Sequence, residues 1–69
     1  MDEAERRDQV SKLFADLTAT FEDAATIAAD GQGPSLSPER LASLAAAIGN
    51  HLAHAHSLRE QVAKLISEL

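Results

Sequence analysis

Gly31-Gln32-Gly33-Pro34-Ser35-Leu36-Ser37-Pro38-Glu39 is the stretch that decides the fold. Its first half stops a helix and its second half starts one. Gly31 is a natural left-handed residue just past a helix end, and Gly-Gln-Gly-Pro breaks any periodicity that would continue through it. Ser37 is a strong N-cap, Pro38 suits the first helical position and Glu39 favours the first turn. Leu36 before the cap and Leu41 after it are spaced as a hydrophobic staple.

Working outward, the residues on both sides of this break have helical periodicity. On the N-terminal side a helix is expected from about Glu3 to Asp30. Asp2 is its cap, Glu5 the reciprocal capping partner, and acids crowd the first turn where the helix dipole favours them. On the C-terminal side nothing but Gly49 interrupts a helix from Pro38 to Leu69, with Glu60 and Lys64 in the favourable i, i+4 order. A connection of some six residues favours antiparallel neighbours. The expectation is an all-α chain: one domain over residues 1–69, an antiparallel two-helix hairpin with its loop at 31–37.

Heptads sharpen this. In the first helix Val10, Leu17 and Ala24 fall at a, Leu13, Thr20 and Ile27 at d, and Phe14, Phe21 and Ala28 at e. In the second, Leu41, Ile48, Ala55, Val62 and Leu69 fall at a, and Leu44, His51, Leu58 and Leu65 at d. Ala45, Leu52 and Ile66 make up its e column, interrupted by Arg59. The stripe is therefore three positions wide in every seven, broader than a two-helix seam requires. A seven-residue spacing predicts left-handed, coiled-coil-like packing.

Folding the hairpin about Gly33–Pro34 pairs positions whose numbers add to about 68 to 70. Phe14 then meets Ala55, Ala24 meets Leu44 or Ala45, and Val10 meets Leu58. In that register Val62, Leu65, Ile66 and Leu69 lie opposite Arg6, Arg7 and Glu3, which offer no apolar cover. Aliphatic side chains at roughly 1.5–3 kcal/mol each call for burial in trans. The expected interface is Val62, Leu65, Ile66, Leu69 and Leu58, with Phe14 and Phe21. Ala42, Ala46 and Ala53, with Gly49, form a smooth strip on the back of the second helix. It is either a second contact face, since small residues permit close helix approach, or, as preferred here, a surface where the alanines are simply good helix formers.

Length and composition point the same way. A 69-residue chain buries only about 60% of its unfolded surface and needs support from disulfides, a metal or association. Cysteine is absent, which removes disulfides and thiolate sites and fits a reducing compartment. Two Phe are the only aromatics. A net charge of −5, with six Lys and Arg against eleven Asp and Glu, argues against a nucleic-acid partner. The longest apolar run, Leu44 to Ile48, is far short of the roughly 20 residues needed to cross a bilayer, and the acidic start lacks a signal-peptide pattern. The expected location is the cytoplasm, with no membrane partner.

Chemistry is scarce. His51 and His54 share a helix face one turn apart, and the register above sets Asp16 beside His54; these three are the candidate ligands for a divalent metal. The structural alternative puts His51 at a seam position where it fixes register by a cross-bundle hydrogen bond, with pH-sensitive association as a consequence. His56 points away from His54. No spacing pairs a nucleophile with a base, and no strand precedes a Gly-rich phosphate loop, so neither enzyme activity nor a cofactor is expected.

The expected function is a non-enzymatic interaction or regulatory module acting as a homodimeric four-helix bundle. In size and layout it resembles plasmid copy-control proteins of the Rop type. That resemblance implies an RNA grip on a basic helix face, whereas Arg6, Arg7 and Lys12 here stand among acids. The alternative is an obligate partner or co-chaperone presenting an apolar groove to another protein's helix, similar in size and charge to the acidic hairpins found beside secretion-system chaperones.

Overall fold

Two caps set the two helices. In the computed structural model, which describes residues 1–69, Asp2 accepts a hydrogen bond from the Glu5 amide at 2.8 Å and starts α1, Glu3–Asp30. Ser37 accepts one from the Arg40 amide at 3.0 Å and starts α2, Pro38–Ser67, with Pro38 in its first turn. The reciprocal half of the capping box is absent, because the Glu5 carboxylate makes no bond back to Asp2. The expected extension of α2 to Leu69 stops two residues short, at a Glu68 cap.

Gly31 ends α1, but not in the left-handed conformation expected of it. It stays right-handed, at φ −69° and ψ −10°, and no residue of the chain has positive φ. Its smallness serves the helix end instead: an added Cβ would stand 3.3 Å from the Ala28 carbonyl, a tight approach to the backbone of α1, while Leu44 Cδ1 across the seam lies at an ordinary contact distance of 4.0 Å.

The helices pack along one antiparallel seam, and burial follows the heptad. In α1 the half-buried or buried residues are Arg6, Val10, Leu13, Leu17, Thr20, Ala24 and Ile27, every one at a or d. In α2 Leu44, Ala55, Leu58 and Val62 are buried and Ile48, His51 and Leu65 half-buried, all at a or d; Ala47, half-buried at g, is the one exception. Thr20, the one buried polar residue, donates its hydroxyl to the Asp16 carbonyl at 2.8 Å. Its hydrogen bond is met within its own helix, so it costs little at the seam.

The register differs from the sequence expectation by one heptad. Arg6 Nε lies 3.6 Å from Glu68 Oε2, and Gly31 approaches Leu44, so facing positions carry numbers adding to 74 and 75 at these two places. That pairs every a of α1 with a d of α2 and the reverse: Val10 with Leu65, Leu13 with Val62, Leu17 with Leu58, Thr20 with Ala55. The physical reason is that heptad matching admits both pairings, since either sets a against d. The one adopted leaves the first turns of α2 beyond the end of α1, where the a residue Leu41 is 43% exposed.

The result is a rod of 53 × 14 × 11 Å with a radius of gyration of 16.0 Å, where a globular domain of this length has about 11 Å. Only five of 69 residues are buried, and none is fully enclosed. The seam is the whole core.

Candidate protein–protein interface

Sliding by one heptad changes which apolar residues need a partner. Val62 and Leu58 are 6% and 5% exposed, covered by α1 of their own chain, and Leu65 is half-buried beside Leu13. The expectation that Val62 and Leu65 face charged residues without cover is therefore corrected: in the observed register they meet Leu13 and Val10. Arg6, which the sequence reading set down as no cover at all, occupies a d position and is half-buried, so its methylene stem closes the end of the seam. Its Nε is shielded from water and held by Glu68 at 3.6 Å, an ion pair longer than a hydrogen bond.

What remains in water along the length of the hairpin is the e column, joined at the ends by Met1 and by the a residues Leu41 and Leu69. Phe14 is 52% exposed, Phe21 53%, Leu52 57% and Ile66 50%. In an antiparallel pair the two e columns flank the same side of the seam. A groove of about 290 Å³ there is lined by Leu17, Phe21, Leu52, Ala55, His56 and Arg59. The g columns flank the opposite side, where Gln9, Gln61, Lys64 and Glu68 surround Leu13 and Leu65. One flank is apolar and the other polar.

Of the seven residues expected at an interface, four are thus on the surface: Phe14, Phe21, Ile66 and Leu69, the last 46% exposed at the chain end. Leu52 was legible as an e residue, yet it becomes a candidate only when the register sets it beside Phe21. An e column running past a filled seam was the signal for it.

The histidines do not come together with Asp16. His54 and Asp16 form no ion pair, because the one-heptad shift sets Asp16 level with the Leu58–Arg59 turn. No group of three or more His, Asp and Glu stands close enough to hold a metal ion. His51 is half-buried at its d position without a hydrogen bond across the seam. His56 lies 3.9 Å from Glu60 on the exposed surface of α2. The remaining ion pairs are Arg7–Glu3 at 3.1 Å and Lys12–Asp8 at 3.0 Å, both i, i+4, and Arg59–Glu60 at 3.2 Å between neighbours; all are exposed, of the kind worth a few tenths of a kcal/mol.

No helix is long and apolar enough to cross a membrane. No protein-family model, curated protein or solved structure matches the chain.

Proposed function

We propose that the chain is a small non-enzymatic association module, two copies of which form a four-helix bundle that serves an adaptor or regulatory role. The observation that supports it is the side of the hairpin carrying Phe14, Phe21, Leu52 and Ile66, each about half exposed. Full burial of such a side chain contributes roughly 1.5–3 kcal/mol, so covering the exposed halves of all four is worth about 3–6 kcal/mol per copy. Immobilising two chains costs some 4–15 kcal/mol. One copy's face alone falls short of that range's middle, and two faces burying each other reach it. The proposed location is the cytoplasm, in keeping with a cysteine-free chain.

Sedimentation equilibrium over a wide concentration range tests the reading. The expected mass rises from 7.3 kDa toward twice that value as the chain is concentrated. A mass fixed at the monomer value throughout overturns it.

A second reading is supported by the groove between Leu17, Phe21, Leu52 and Ala55: it would receive an amphipathic helix from a different protein, with this chain as obligate partner or co-chaperone. Poor solubility when expressed alone, cured by co-expression of a neighbouring gene's product, is its expected signature.

A further inference from the structure

We infer that the second copy docks on the e side of the hairpin, a face that carries no carboxylate and whose two arginines are already paired within the chain. This deepens the self-association proposed above and rests on it. The e columns are flanked outward by the b columns, and these sixteen positions contain none of the eleven acidic residues. Seven of the eight b positions are Ala, Gly, Ser or Thr; His56 is the eighth. The only full charges are Arg7, held by Glu3 at 3.1 Å, and Arg59, held by Glu60 at 3.2 Å.

Charge makes this the side by which two such chains can approach. Each copy carries −5, and the acids Asp16, Asp23, Asp30 and Glu68 stand on the g columns across the seam. Docking through the e side points those carboxylates away from one another and brings no unpaired charge into the interface. Docking through the g side would set like charges together in a shrinking volume of water.

Area points to an occupant of similar size. A compact monomer of this mass exposes about 4,200 Å², whereas this chain exposes 4872 Å². The surplus of roughly 700 Å² is close to the ~800 Å² that each partner gives to a standard interface. Gly49 adds a local argument. It sits on a b column in mid-helix, where glycine weakens the helix, and an added Cβ would meet nothing within 4 Å. Nothing inside the chain needs that absence of a side chain; a helix of a second copy lying close against the face does.

Sedimentation of three single variants decides the matter. Leu52→Glu puts a carboxylate on the e side and is expected to weaken self-association at least tenfold, with helicity by circular dichroism unchanged. Gly49→Leu strengthens the helix, so it cannot act by unfolding, and is expected to weaken association as well. Asn50→Glu adds the same charge at a c position of α2, turned away from the e side, and is expected to leave association within about twofold of the parent. A parent chain that dimerises while Leu52→Glu and Gly49→Leu dimerise equally well overturns the docking face and leaves self-association standing. A parent chain that never dimerises overturns both.

Discussion

Cysteines introduced at Thr20 and Ala55 should form a disulfide within one chain, and a pair at Thr20 and Ile48 should not. Both pairs are heptad-allowed, because Thr20 is a d residue while Ala55 and Ile48 are both a residues of α2. Only the observed register, set by Arg6 against Glu68 and Gly31 against Leu44, brings Thr20 level with Ala55. Both residues are buried, and both are small enough for cysteine to replace them without opening a cavity. A disulfide requires Cα atoms about 4.4–6.8 Å apart. Ile48 is displaced from that level by one heptad, roughly 10 Å along the axis at 1.5 Å per residue, which no side-chain rotation closes. Closing a loop of about 36 residues removes near 4 kcal/mol of unfolded-chain entropy, and the loop of about 29 residues in the control removes almost as much, so loop length does not separate the two designs. The assay is thiol titration and mass spectrometry after oxidation at high dilution, followed by urea unfolding with and without reductant. Thr20→Cys/Ala55→Cys should oxidise as a monomer and show a raised urea midpoint that reductant abolishes. Ready intramolecular oxidation of Thr20→Cys/Ile48→Cys, with Thr20→Cys/Ala55→Cys staying reduced, would refute the register and every placement that rests on it.

Leu58→Ala, in the seam, is expected to cost about 2–5 kcal/mol of hairpin stability, whereas Leu52→Ala, more than half in water, should cost under about 1 kcal/mol at dilutions where the chain is monomeric; equal urea midpoints would contradict the assignment of seam and flank. Ser37→Ala removes the hydroxyl that accepts the Arg40 amide and should lower stability by about 1 kcal/mol, while Ser37→Asp restores it. Zinc and chelator should each leave the melting temperature unchanged, since Asp16 stands apart from His54; a zinc-dependent rise that His54→Ala abolishes would show a site formed some other way.

The helices and their limits were legible because caps and breakers act locally. Asp2 and Ser37 bond to amides three residues on, and Pro38 needs nothing beyond its own ring to favour the first turn. The a and d columns were legible too, since burial follows periodicity and periodicity is written in the sequence. Gly31 shows where local reasoning stops. Its type marked the helix end, but the left-handed turn expected there did not form, and the tight approach of an added Cβ would be to the Ala28 carbonyl, a detail of how the chain leaves α1 that residue type alone does not give.

Register was not legible for a deeper reason. A heptad pattern repeats every seven residues, so it constrains the pairing of two helices only to within a multiple of seven. Facing numbers that add to 68 match a to d as well as numbers that add to 75. Which multiple of seven the two helices adopt is not encoded in any period. Everything about the surface inherits that ambiguity. One register strands Val62 and Leu65 opposite charges and makes the C-terminal end of α2 sticky. The observed one gives them Leu13 and Val10, and leaves instead a continuous e side with Phe14, Phe21, Leu52 and Ile66 half in water. The e columns fall beside the a and d seam in both registers, because the heptad pattern and not the pairing puts them there. A two-helix chain with three apolar columns per helix therefore leaves one column of each helix on the flank of its seam, whichever register it adopts.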